Sequence, residues 1–145
     1  LTSDHGWDLI SESNQLRPLV ADLQRSDIRV SLFMDPDEKQ LELAARLGVD
    51  RIEFYTGPYA DHYGTPAQSE ILESFTTAGK IAHSLGLGIN AGHDLNQDNL
   101  YTFCRSISQV AEVSIGHAII SDSLWLGLEK TVARYDKILK DVESN

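Results

Sequence analysis

A chain of 145 residues is long enough for one domain with a sizeable core, and its 41% hydrophobic and 23% charged content excludes a low-complexity or disordered class. With 22 acids against 12 bases, the formal charge of -10 excludes the basic surface that a general nucleic-acid or anionic-membrane partner needs. Cys104 is the only cysteine, which excludes an internal disulfide and a cysteine-rich zinc site and fits a reducing, cytoplasmic setting. No apolar run reaches bilayer length, and the first residues lack the blocks of a signal peptide. The first residue is Leu1 rather than Met, so the chain is expected to begin partway through a longer product.

Leu1 to Asn14 shows no clear period and reads as a connection. Leu16, Leu19, Val20 and Leu23 then recur at helical spacing, predicting an amphipathic helix from Gln15 to Arg25. Ile28 to Met34 reads as a strand. Asp35 is expected to cap the next helix, with Pro36 at its first position and Glu38 completing a capping-box pattern. Leu41, Ala44 and Ala45 form its apolar stripe, and Gly48 ends it. A second strand runs from Arg51 to Tyr55, followed by a long loop from Thr56 to Pro66 punctuated by glycine and proline.

Ile71, Phe75, Ala78, Ala82 and Leu85 share one face of a long helix closed by Gly86. Leu87 to Ala91 is then a third strand. Leu100, Phe103, Cys104 and Ile107 line a further helix that Asn96 is placed to cap, and Glu112 to Ile115 is a fourth strand. Leu124, Leu128, Val132, Tyr135 and Leu139 mark a long terminal helix. A helix followed by four strand-helix units demands a parallel sheet with right-handed crossovers.

Two architectures satisfy that order: an open doubly wound sheet, or part of a (β/α)8 barrel. Val30, Leu32, Met34, Ile52, Phe54, Ile89, Ala91, Val113 and Ile115 make one apolar strand face, while the other offers Ser31, Glu53, Asn90 and Ser114. A doubly wound sheet should be apolar on both faces. The polar second face fits a barrel interior converted to an active site. Four strands cannot close such a barrel, so the chain is expected to be one partial domain over residues 1–145. Roughly half of a fold typically built from about 250 residues is missing.

Glu53 is the sharpest anomaly, a carboxylate between Ile52 and Phe54 in a strand that should be largely buried. His93 follows the next strand end, and Gly116-His117 takes the equivalent place one strand later. Loops after the last strands of a barrel often bind phosphate, which makes the backbone amides of His93-Asp94 and Gly116-His117 candidates. Tyr59 and Tyr63 are placed to close over a ligand; Cys104, Trp7 and Trp125 read as packing residues. His5, His62 and His83 show no metal-ligand spacing, and no nucleophile elbow, Walker loop or dinucleotide fingerprint is present.

Four stretches together carry a resemblance: Arg29-Val-Ser-Leu-Phe-Met-Asp35, Ile52-Glu-Phe-Tyr-Thr-Gly57 with Tyr59-Ala60-Asp61, Asn90-Ala-Gly-His93, and Ile115-Gly-His-Ala-Ile-Ile120. The chain resembles pyridoxine 5′-phosphate synthase of the deoxyxylulose-dependent vitamin B6 pathway, from the helix before the fifth barrel strand to the C-terminus. The resemblance implies a (β/α)8 enzyme that condenses 1-deoxy-D-xylulose 5-phosphate with 3-amino-2-oxopropyl phosphate, giving pyridoxine 5′-phosphate, phosphate and water. It implies no metal and no redox cofactor. His93 takes the place of the proton donor, Glu53 that of a transition-state stabiliser, and Asp94 and Gly116-His117 those of phosphate-ligand contacts, Asp94 through its backbone. The family's remaining bases and phosphate-binding arginines fall on the N-terminal half. The segment alone is therefore expected to be inactive, and to need that half or another copy of the chain as partner, as a homo-oligomer. The alternatives are another phosphate-binding barrel enzyme, such as an aldolase or epimerase, or a non-catalytic half-barrel binding or assembly module.

Overall fold

The structure, a computed structural model, describes residues 3–144; Leu1 and Thr2 of the predicted connection lie outside them. The remainder is four consecutive β/α units preceded by a helix, as the alternation requires. In chain order these are α1 (Leu9–Arg25), β1 (Ser31–Met34), α2 (Glu38–Leu47), β2 (Arg51–Tyr55), α3 (Gly57–His62), α4 (Gln68–Ser84), β3 (Gly88–Gly92), α5 (Leu100–Ser106), β4 (Val110–Ser114), α6 (His117–Leu126) and α7 (Leu128–Glu143). All strand pairs are parallel and the spatial order is β1-β2-β3-β4, so chain neighbours are also spatial neighbours. Successive staves of a (β/α)8 barrel have this order. A doubly wound sheet reverses it partway.

The two strand faces divide the chemistry. Leu32, Met34, Ile52, Phe54, Ile89 and Ala91 are buried beneath the helices, with Leu9, Leu41, Ala44, Phe75, Ala82 and Phe103 supplying the opposing surface. The other face carries Phe33, Arg51, Glu53, Tyr55, Asn90, Glu112 and Ser114 and is concave. Across this face Arg29, just before β1, bonds Glu112 of β4 at 2.9 Å. Curvature is assisted by a bulge, for β3 pairs Ile89 with Val110 but Asn90 with Glu112, leaving Ala111 as the extra residue. Arg51 bonds Asn90 at 2.9 Å and Glu112 at 3.1 Å, forming a polar floor at the start of the strands.

Several local expectations need correction. The first helix starts at Leu9, inside the predicted connection, because Asp8 caps it by accepting from the Ile10 amide at 3.1 Å. Asp37, not Asp35, caps α2, accepting from the Gln40 amide at 2.9 Å; Asp35 instead accepts the Gly6 amide at 3.1 Å. The predicted Thr56–Pro66 loop contains α3, which Pro58 permits in its first turn and Tyr59 pins to the core. Tyr59 therefore does not close over a ligand: it is fully buried, its ring 5.1 Å from Phe103 and 5.8 Å from Tyr63. The predicted terminal helix is two, broken at Gly127, whose φ of 81° and ψ of 144° belong to backbone space that is essentially glycine's. The break leaves Leu124, Leu128 and Val132 exposed, and Trp125 is 88% exposed rather than packed. Gly48 ends α2 in the left-handed conformation at φ 87°, and Cys104 is buried, both as expected.

Candidate functional site

The strand ends converge. Glu53, His93, Asp94, Gly116 and His117 line one open cleft of about 710 Å³, with Asp61, Asn96 and Ser114. The cleft lies at the C-terminal ends of β2, β3 and β4, the end at which barrels place their chemistry.

Glu53 arrives from the middle of β2, opposite Asn90 of β3. Its side chain crosses β3 to reach β4, where Ser114 Oγ donates to Oε2 at 3.2 Å. Gly92 makes that crossing possible: a Cβ there would stand 2.4 Å from Glu53 Oε1. Burial holds the Glu53 pKa above the ordinary glutamate value; the Ser114 hydroxyl and His93 oppose that shift and Glu112 adds to it. Burial thus favours the neutral form of this carboxyl more than solvent would.

His93 stands immediately after β3. Its backbone is left-handed, φ 77°, and so is that of Asp94, φ 63°. Its Nδ1 lies 2.7 Å from Asp94 Oδ2. An ionised carboxylate only accepts, so Nδ1 carries a proton and Nε2 is the nitrogen left for exchange. The ring is walled by Tyr55 at 5.3 Å, edge to face, and by Phe33 at 6.2 Å.

The loop beyond His93 is tied down from three sides. The Thr56 hydroxyl donates to the Gly92 carbonyl at 2.8 Å and also contacts the His93 carbonyl. Asn99 Nδ2 donates to the Asp94 carbonyl at 3.2 Å, while Tyr59 donates its hydroxyl to the Asn99 carbonyl at 2.9 Å. Gln97 and Tyr135 both donate to Asp122 Oδ2, at 2.7 and 2.8 Å, which couples this loop to α6 and α7. Asn96 caps less directly than expected: its side chain accepts from the Asp98 and Asn99 amides in the turn before α5. Gly116 is the N-cap of α6, and with no side-chain cap the first-turn amides from His117 onward face the cleft end of the helix. Among the described residues, no group of three or more His, Cys, Asp or Glu side chains is arranged to hold a metal ion.

Residues 1–141 match the family described as Pyridoxal phosphate biosynthesis protein PdxJ. The chain belongs to that family. Relatives named pyridoxine 5′-phosphate synthase include that of Albidiferax ferrireducens, 50% identical over 134 residues that make up 92% of this chain and 53% of the relative. The Xylella fastidiosa relative (strain 9a5c) is 49% identical over 142 residues, 98% of this chain and 55% of its own. That of Brucella anthropi is 51% identical over 135 residues, 92% of this chain and 55% of its own. The chain thus spans about half the length of the curated relatives it matches, and its four β/α units are a partial barrel.

In this PdxJ chain the sequence pointed to the cleft residues but missed what holds them. Thr56 follows an alternating strand and opens what reads as a loop; nothing local signals that its hydroxyl serves β3. The use of Gly92 depends on a glutamate 39 positions earlier. Phe33 and Tyr55 carried a signal that was available: both fall on the polar phase of their strands, where a large aromatic is as anomalous as a carboxylate.

Proposed function

We propose that this chain is the C-terminal half of a pyridoxine 5′-phosphate synthase, which condenses 1-deoxy-D-xylulose 5-phosphate with 3-amino-2-oxopropyl phosphate to pyridoxine 5′-phosphate, phosphate and water. The observation that carries the reading is the joint lining of one cleft by Glu53, His93, Asp94, Gly116 and His117 in a PdxJ family chain. His93 acts as proton donor, with its Nδ1 held by Asp94. Glu53 stabilises the charge that develops in the transition state. The backbone at Asp94 and the Gly116-His117 turn contact phosphate; the Asp94 carboxylate, engaged with His93, is turned to that task rather than to an anion.

The cleft is incomplete for two phosphorylated substrates. Its lining contains Glu53, Asp61 and Asp94 but no lysine or arginine. Anions of that charge need cationic partners, so the missing cations come from a further set of β/α units or another copy of the chain. β1 and β4 each keep one unpaired edge, the kind of edge that proteins cover. Leu124, Trp125, Leu128 and Val132, on α6 and α7, are exposed apolar side chains of the kind a partner covers. The chain alone is inactive on this reading.

The test is an assay for pyridoxine 5′-phosphate with the purified chain, alone and with the N-terminal units of a close relative added. Product is expected only in the mixture. Turnover by the chain alone, or a monodisperse monomer that ignores the added units, overturns the proposal.

A further inference from the structure

Thr56 occupies the N-cap position of α3 yet makes no side-chain cap to that helix. A threonine there ordinarily accepts from an amide of the first turn. Its hydroxyl points the other way, to the Gly92 carbonyl at 2.8 Å and the His93 carbonyl, while its amide donates to the same Gly92 carbonyl at 3.1 Å. The residue is fully buried, so those bonds have no water to replace them.

The place it grips is the strained one. His93 and Asp94 are consecutive non-glycine residues with positive φ. Such a conformation is costly for a residue with a side chain and persists only where its surroundings over-determine it. Downstream, Asn99 holds the Asp94 carbonyl. Upstream, the grip is Thr56.

We propose that Thr56 is a positioning residue for His93: its hydroxyl, withheld from its own helix, engages the Gly92 and His93 carbonyls that flank the His93 α-carbon and so keeps the imidazole over the cleft between Tyr55 and Phe33. The inference rests on the role given to His93 above. The α3 cap is sacrificed for the geometry of a neighbouring strand end.

Thr56→Val keeps the branched shape and removes the hydroxyl; Thr56→Ser keeps the hydroxyl and removes a methyl. In the chain alone, the three-bond amide-to-Hα couplings and carbon shifts of His93 and Asp94 report the left-handed turn by NMR. Thr56→Val should lose that signature and Thr56→Ser should keep it. In the mixture with added N-terminal units, Thr56→Val should lower kcat roughly 10- to 100-fold with little change in KM, as expected for a misplaced group. Thr56→Ser should restore most of it. If Thr56→Val does not fold, Thr56→Ala, which removes the hydroxyl and asks for less space, takes its place and should lose the signature that Thr56→Ser keeps; an unchanged turn in it overturns the proposal equally. An unchanged turn in Thr56→Val, or an equal loss in Thr56→Ser and Thr56→Val, overturns the proposal. Failure of the parent mixture to make product bears on the function alone, because the NMR comparison stands without turnover.

Discussion

Gly92→Ala tests the crossing of β3 by Glu53. The added Cβ would stand 2.4 Å from Glu53 Oε1 and 3.0 Å from both Cβ and the carbonyl oxygen of Ser114. The carboxylate is the end of a flexible side chain and can leave; the Ser114 carbonyl is backbone and yields only by a strand shift. Overpacking of this kind costs about 1–3 kcal/mol, offset by roughly 0.5–1 kcal/mol from the reduced freedom of the unfolded chain. The net loss is on the order of 0.5–2 kcal/mol, or a fall of roughly 2–6 °C in Tm for a domain of this size. Because the clash is with Glu53, the penalty should shrink in a Glu53→Ala background, leaving only the Ser114 part. A thermal-melt double-mutant cycle measures that coupling. With N-terminal units supplied, displacement of the carboxylate by about 1 Å should lower kcat about 100-fold. Equal Tm losses in both backgrounds, with kcat intact, would show that the carboxylate does not pass over Gly92.

Two further outcomes follow from the titrating groups. Burial raises the Glu53 pKa in the folded chain, so its contribution to stability is whole below the unfolded glutamate pKa and is lost as pH rises through the folded value. Glu53→Gln should therefore melt above the parent near pH ~8 and converge with it near pH ~4; a parent that gains on the variant as pH rises contradicts the assignment. Burial also pushes the Cys104 thiol up to about 11, so the folded chain should resist thiol reagents near pH ~8 and react fully once denatured. Stoichiometric labelling of the native chain would place Cys104 at the surface.

The parts of the fold legible in the sequence are those decided locally. β2 is legible to the residue because Ile52 and Phe54 alternate with polar neighbours between Gly48 and Thr56. Gly48 ended α2 because a glycine after an apolar stripe has one common use. The break at Gly127 was hidden because Leu124, Leu128 and Val132 keep helical spacing across it, although packing never uses that stripe. α3 was hidden because Gly57-Pro58 serves equally in a loop and in a first helical turn. At the site, residue type within a strand marked Glu53, and place after a strand marked His93 and Gly116-His117. The roles of Thr56, Gly92 and Ser114 arise only when β2, β3 and β4 lie side by side, and no window of sequence contains all three strands.

The bond from Arg29 to Glu112 acts as a chord drawn across an arc. Both partners are about half exposed, so the pair is worth at most about 1 kcal/mol and records the bend more than it enforces it. It is also among the widest contacts in sequence, 83 positions apart, whereas adjacent strands join through neighbouring units. Contacts of such span form late, after the local ones have shortened the loop they must close. The chord therefore adds little to the hold of one strand on the next: the bend belongs to the pairings β1-β2-β3-β4, and cutting the chord should leave the arc standing.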